Sequence, residues 1–261
     1  MPSRAARPSQ PERHARILAM LRRDGIVRIA TLAQAFDVTT ETARRDLDEL
    51  ARSGAIKRTY GGGASASLID EPGIGIRSRA HAAERTAIAA AAAALVDEGD
   101  ALMIDAGSTT SLFAAALAAR NLRVTVLTNC LPVATALGAA GRCRVILCPG
   151  ELVMREGGVF GPEARQFVAR YKANKAFIGA GGIDADGFSD ADSAACTIKR
   201  AMMARADATL LLVDSSKLGV AQFETVASLD ALDALVCDAA PPRALAARLR
   251  KAGVNVIVSP P

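Results

Sequence analysis

Tryptophan is absent from this chain, tyrosine occurs twice, and aromatic residues make up only 3% of it. Too few rings remain to build a platform on which unpaired bases stack, which disfavours single-stranded nucleic acid as a partner. Histidine is equally scarce. His14 and His81 each stand away from any cysteine, so zinc finds no ordinary ligand set, and neither a structural nor a catalytic metal is expected. The five cysteines, Cys130, Cys143, Cys148, Cys196 and Cys237, are odd in number and form no C-x-x-C pair. They lie mostly in or beside apolar runs, as buried thiols in a reducing cytoplasm do. Long apolar runs are missing too. Arg4 and Arg7 precede no stretch of signal-peptide length, and the most apolar later run, Ala87 to Val96, is too short to span a bilayer. A cytoplasmic protein with no membrane partner is expected.

What the chain does have is aliphatic bulk and an uneven charge. Its 261 residues, 51% of them hydrophobic with alanine foremost, suffice for two domains, one of about 60 residues and one of roughly 180 to 200. The formal net charge is +5, and residues 1 to 60 hold twelve Lys and Arg against seven Asp and Glu. The remaining residues hold twenty of each sign. A basic module joined to a neutral domain is the expected footprint of double-stranded DNA binding, against the plainer reading of a merely soluble basic terminus.

Residues 1 to 10, with two prolines and two serines, read as a disordered leader. Glu12 to Arg23 carries Ile17, Leu18 and Leu21 at helical spacing with Gly25 as a stop, Val27 and Ile29 read as a short strand, and Thr31 to Phe36 as a second helix. After a tight turn at Asp37 and Val38 comes a third helix. Its Ala43, Leu47 and Leu50 face inward and leave Thr40, Thr42, Arg44 and Arg45 on other faces of its first turns. In helix-turn-helix proteins that end of the second motif helix enters the major groove, where hydroxyls and guanidinium groups reach bases and phosphates. Arg45 and Asp46 also admit a structural reading, as a pair that locks the helix to its neighbours. Beyond Gly54, Ala55 to Tyr60 reads as a wing strand with Lys57 and Arg58 placed for phosphate contact, followed by Gly61, Gly62 and Gly63. The DNA-binding module is therefore set at 11 to 63. Residues 64 to 80, with Ser65, Ser67, Pro72, Gly73 and Gly75, read as a linker.

From residue 81 to 261, helical and strand patterns alternate, with apolar runs at 101–104, 124–127, 145–148, 176–178, 209–213 and 235–237. This predicts an α/β domain around a largely parallel sheet covered on both faces. Ligands of such sheets sit beyond the carboxyl ends of the strands. Those positions here are small and polar: Asp105, Gly107, Ser108, Thr109 and Thr110 opening a helix; Thr128 and Asn129; Gly150; Gly181, Gly182 and Asp184; Asp214 and Lys217. Free backbone N–H groups and hydroxyls at a helix start make a phosphate cradle, although helix capping alone would ask for the same residues. Lys199 and Lys217 are candidates to neutralise a phosphate, with Lys217 favoured, and the plain alternative makes each a surface lysine.

Thr42, Arg44, Arg45, Asp46, Leu47, Gly54, Arg58, Gly61 and Gly62 together resemble the N-terminal signature of the DeoR family of bacterial transcription regulators. Ala43 replaces a usual Ile, and Tyr60 a common His. The strand-end motifs resemble the sensor domain of the same family, so the likeness runs from about Glu12 to Asp238. It implies a winged helix-turn-helix followed by a ribose-5-phosphate-isomerase-like α/β domain. Arg155, Gly157, Gly158, Gly161, Gly182, Ile183, Asp184, Asp186, Gly187, Asp238, Pro241 and Pro242 most resemble the glycerol-3-phosphate regulon subfamily. The resemblance implies a transcriptional regulator, a repressor, of carbohydrate or glycerol genes. Its effector would be a phosphorylated sugar or glycerol-3-phosphate, with no cofactor, no catalytic residue and a homo-oligomeric state, dimer or tetramer, on a two-half-site operator. Pro149, Cys130, Ala194 and Ala195 depart from the family pattern, and the last two remove a carboxylate common before Lys199. The alternative is a sugar-phosphate isomerase or deaminase with an accessory DNA-binding arm, for which Asp105, Asp184 and Asp214 are the candidate carboxylates.

Overall fold

A computed structural model describes residues 8–24, 26–53, 55–59, 62–65, 74–77 and 81–260, with the main chain alone for 22–24, 26, 57–59, 63–65 and 76. Gly25, Gly54, Tyr60, Gly61, most of the expected leader and residues 66–73 and 78–80 of the expected linker lie outside the described residues. The chain divides into two compact units, Met1–Glu71 and Pro72–Pro261.

The first unit runs α1 (Gln10–Asp24), β1 (Ile26–Arg28), α2 (Ile29–Phe36), α3 (Thr40–Arg52), β2 (Ile56–Thr59) and β3 (Gly62–Ser65). Its core joins Ile17, Leu21, Leu32, Phe36, Ala43, Leu47, Leu50 and Ile56, so the helical spacings of all three helices converge on one centre. Ile29, expected in the strand, instead opens α2 and is buried there. The turn after α2 is closed by Asp37 in the left-handed region (φ 50°), with the Val38 N–H donating to the Ala33 carbonyl at 3.0 Å. Strand β3 lies between β1 and β2, antiparallel to both, and its Ala64 and Ser65 extend the wing into the stretch read as linker.

The second unit opens with a single helical turn, α4 (Ile74–Arg77), also within the expected linker, and continues through α5 (Ala82–Ala93), β4 (Ala101–Ile104), α6 (Ser108–Ala119), β5 (Thr125–Thr128), α7 (Leu131–Ala139), β6 (Arg144–Leu147), β7 (Glu151–Val153), β8 (Gly158–Phe160), α8 (Pro162–Val168), β9 (Ala173–Gly179), β10 (Gly182–Ile183), β11 (Phe188–Asp190), α9 (Ser193–Met203), β12 (Ala206–Leu212), β13 (Glu224–Ala227), β14 (Ala234–Cys237), α10 (Arg243–Lys251) and β15 (Asn255–Val258). Among the described residues, seven strands form one sheet in the order β15-β14-β12-β9-β4-β5-β6, every neighbouring pair parallel. Side chains alternate between its faces with the strand period of two. Leu102, Ile104, Phe177, Leu210 and Leu212 join the core under α5, α6 and α7, while Met103, Ala176, Ile178 and Leu211 join the core under α8, α9 and α10.

Strand order reverses between β4 and β9, since β4, β5 and β6 build outward one way and β9, β12, β14 and β15 the other. That reversal is the place where an open parallel sheet leaves a crevice at its carboxyl edge. Two small antiparallel elements that sequence patterning did not reveal border this edge, the β7–β8 hairpin and the β10-β11-β13 sheet.

Candidate functional site

Helix α3 is positioned by its cap and by its buried face. The Thr39 hydroxyl accepts the Thr42 N–H at 3.1 Å, which satisfies one of the free donors of the first turn. Opposite the core, Thr40, Arg44 and Arg45 are exposed and Thr42 half-buried. Arg45 lies 3.4 Å from Glu41 one turn back, an exposed pair that does not bury the guanidinium. Asp46 differs: it is 1% exposed and accepts two hydrogen bonds from Arg13, at 2.6 and 2.8 Å, which fastens α3 to α1. The structural reading therefore belongs to Asp46 and not to Arg45. Lys57 and Arg58 lie on β2, and their side chains are outside the described residues.

At the carboxyl edge of the second unit, Asp105 stands directly on the switch point. Its N–H donates to the Phe177 carbonyl of β9 at 3.2 Å, and its carboxylate accepts the Gly179 N–H at 3.0 Å and contacts the Lys199 ammonium. Lys199 is 3% exposed and also lies 3.5 Å from Asp190. Burial works against its charge, but the Asp105 and Asp190 carboxylates outweigh burial and raise its pKa above the ordinary lysine value. Its ammonium already has two carboxylate partners, so Lys199 is a structural member of the edge before any phosphate arrives.

Helix α6 begins one residue beyond Gly107, and no side chain caps its first turn. Ser108, Thr109 and Thr110 are buried there. The Thr110 hydroxyl donates to the Asp105 and Gly107 carbonyls, at 2.9 and 3.0 Å, and so shapes the loop. Thr128 does the same for the next strand, donating to the Ile104 carbonyl at 2.7 Å and accepting the Cys130 N–H at 3.0 Å. Asn129 is 1% exposed; its Nδ2 donates to the Val159 carbonyl at 3.1 Å, while its Oδ1 has no hydrogen-bond partner among the described residues.

The remaining candidates divide. Gly181 is buried two residues beyond the end of β9, and its N–H donates to the Ser189 carbonyl at 3.0 Å. Gly182 is a packing requirement, because a Cβ there would stand 2.2 Å from the Val220 carbonyl oxygen. Gly150 leads into the β7–β8 hairpin with φ 138°, and a Cβ would meet the Phe160 carbonyl oxygen at 2.4 Å. Asp184 sits in the β10–β11 turn, where its carboxylate accepts the Asp186 N–H at 2.9 Å. Asp214 is 1% exposed after β12 and is ion-paired with Arg85 at 2.8 Å. Lys217, half-buried, ends the short helical turn that follows.

Sequence reading missed Arg85 and Asp190. Arg85 follows Glu84 in the first turn of the Ala-rich α5, three and four residues before the buried Ile88 and Ala89, and that helical spacing onto the apolar face was the available signal. Burial pushes the Cys148 thiol up to about 12 and the Cys196 and Cys237 thiols up to about 11, so these sulfurs are poor nucleophiles. Among the described residues no cluster of three or more His, Cys, Asp or Glu is arranged to hold a metal, and no helix is long and apolar enough to cross a membrane.

Residues 13–68 match the model of the DeoR-like helix-turn-helix domain, and residues 80–239 match that of the DeoR C terminal sensor domain. The chain belongs to the DeoR family. The HTH-type transcriptional repressor CsqR of Escherichia coli is 32% identical to it over 94% of each chain. The glycerol-3-phosphate regulon repressor of Escherichia coli is 34% identical, over 89% of this chain and 92% of its own. Among solved structures, a ribose 5-phosphate isomerase A from Methanocaldococcus jannaschii is 18% identical over 53% of this chain and 55% of its own, with a TM-score of 0.41.

As a DeoR-family member the protein is a DNA-binding transcriptional regulator and not an enzyme. General base catalysis needs a carboxylate free to take a proton from substrate. Asp105 is ion-paired with Lys199 and Asp214 with Arg85, while Asp184 accepts one main-chain N–H of its own turn.

Proposed function

We propose that this regulator is a repressor of carbohydrate or glycerol metabolism genes that leaves its operator when a phosphorylated metabolite occupies the carboxyl edge of the sheet. In this reading residues 11–63 bind DNA, 81–261 sense the metabolite and 64–80 join them, in the cytoplasm. Thr40, Thr42, Arg44 and Arg45 face the groove, Lys57 and Arg58 the phosphates, and two half-sites call for a dimer or a dimer of dimers.

One observation carries the sensor reading. The N-terminus of the twelve-residue helix α6 opens without a side-chain cap at the switch point, near the strand end that carries the buried Asn129 Oδ1. Unmatched N–H donors and the positive end of a helix dipole favour a phosphate, and a buried amide oxygen without a partner favours a hydroxyl donor. A phosphorylated polyol supplies both. The name of the glycerol-3-phosphate regulon repressor, similar over most of its length, supports that ligand class.

The test is a thermal-shift screen of sugar phosphates and glycerol-3-phosphate on the full chain, paired with mobility shifts on DNA from the protein's own promoter region. A ligand at one hundred times its Kd stabilises the native state by about 2.7 kcal/mol. The expected result is a phosphorylated compound that raises Tm by several degrees and weakens the operator complex. If the screen raises Tm with none of these compounds, the sensor reading falls. If no specific DNA complex forms at moderate salt, the operator reading falls with it.

A further inference from the structure

Arg85 is 3% exposed, on the otherwise apolar buried face of α5. A guanidinium so placed is costly unless its donors are matched with good geometry. Two of its donors are matched by acceptors from distant parts of the chain. Nε donates to Asp214 Oδ2 at 2.8 Å, and Nη1 donates to the main-chain carbonyl of Arg77. Asp214 belongs to the crevice edge: its other carboxylate oxygen accepts the Ser216 N–H at 3.1 Å and the Ser216 hydroxyl, which holds the loop leading to Lys217. Arg77 belongs to α4, the first described stretch after the DNA-binding unit in chain order.

The same short helix is tied at two further points. The Ile74 N–H donates to the Arg155 carbonyl at 2.8 Å, and the Arg77 side chain pairs with Glu156. Both of these partners sit in the β7–β8 hairpin. The hairpin also touches the crevice edge, since Val159 of β8 donates its N–H to the Asn129 carbonyl at 2.6 Å and accepts from the Asn129 amide. These three anchors of α4 therefore lead back to residues at the carboxyl ends of β5 and β12.

We propose that Arg85 is the positioning residue that transmits the state of the effector crevice to the linker, holding the Arg77 carbonyl in register with the Asp214 carboxylate. The fork of a guanidinium is planar and rigid, so its two hydrogen bonds cannot be re-aimed independently. A ligand that draws on the Asp214–Lys217 loop turns the fork and shifts or frees α4. A ligand binding the anchored and freed states unequally changes their populations, and with them the restraint on the DNA-binding unit. This coupling rests on the sensor reading, which places the ligand at that edge.

The experiment compares the full-length chain with Asp214→Asn, Arg85→Lys and, as a control for stability alone, Leu249→Ala. Leu249 lies on the buried face of α10, fully enclosed, and takes no part in the anchoring of α4. Hydrogen exchange of the 74–85 segment is measured relative to β9 amides, together with affinity for own-promoter DNA. Asp214→Asn and Arg85→Lys should each lower protection of the Ile74 amide at least tenfold and change DNA affinity at least fivefold, while Leu249→Ala at a matched loss of Tm does neither. Unchanged protection in Asp214→Asn, an equal fall in Leu249→Ala, or unaltered DNA affinity overturns the proposal. Neither readout requires an effector. A loosened segment in the variants, together with no response of the wild type to any phosphorylated compound, would uphold the coupling and sink the metabolite reading instead. If Arg85→Lys does not fold, Asp214→Asn alone decides.

Discussion

The Lys199 ammonium rests on the Asp105 carboxylate at the point where strand order reverses, and the Asp190 carboxylate lies 3.5 Å from the same ammonium. The contact joins α9 to the end of β4 across 94 residues of sequence, and it closes the floor of the crevice with a charge pair of which neither member is free.

Lys199→Met leaves Asp105 a buried carboxylate without its counter-charge. The second unit should lose about 3 to 5 kcal/mol of stability, and Lys199→Met combined with Asp105→Asn should recover part of it. Urea unfolding of the three variants measures this. A loss under about 1 kcal/mol would show that the pair contributes little.

Asp214 sets an acid limit. Burial opposes its charge, yet the hydrogen bond from Ser216 and the Arg85 guanidinium outweigh burial and hold its carboxyl below the ordinary 3.8. A carboxyl lowered by folding stabilises the native state above its unfolded pKa, and that contribution drains away as pH falls through the folded value. Stability should therefore decline below about pH 4, the usual range of an unfolded aspartate. Asp214→Asn should show a shallower decline over the same range, and parallel curves would remove Asp214 from the account.

Asp46→Ala removes the acceptor of two charged hydrogen bonds from Arg13. Hydrogen bonds to charged groups contribute about 1.5 to 3 kcal/mol each. The first unit should melt earlier by a corresponding amount, while binding to different DNA sequences should fall together. A selective loss on the operator alone would instead mark Asp46 as a reading residue.

Arg44→Ala should weaken specific operator binding by about 1 to 3 kcal/mol and relax sequence choice. Lys57→Ala should weaken binding to all sequences alike and lower the salt slope by about 1. Fluorescence anisotropy on operator and random duplexes, across a salt series, separates the two. Equal losses on random DNA would strip Arg44 of its reading role.

The DNA-binding unit was legible because its helices advertise themselves locally. Ala43, Leu47 and Leu50 recur at helical spacing and form the core, and the polar first turn of α3 remains outside it. The strand ends were legible for a related reason: a sheet buried on both faces produces continuous apolar runs, so the polar residues that follow Ile104, Leu127 and Val213 stand out. The β7–β8 hairpin and the β10-β11-β13 sheet were not legible, since strands of two to four residues carry too little periodicity to register.

Residue type at the crevice edge was readable from sequence, but partnership was not. Sequence by itself determined that the chain is a basic helix-turn-helix unit followed by an α/β unit whose strands end in phosphate-friendly residues, because composition and periodicity are properties of neighbours along the chain. Only the tertiary structure decided which of those polar residues remain available. It bound Lys199 to Asp105, bound Asp214 to an arginine 129 residues earlier, and left the start of α6 without a side-chain cap. A buried charge takes whichever counter-charge the packed sheet brings within reach, and that choice is made in space across separations that no local pattern records.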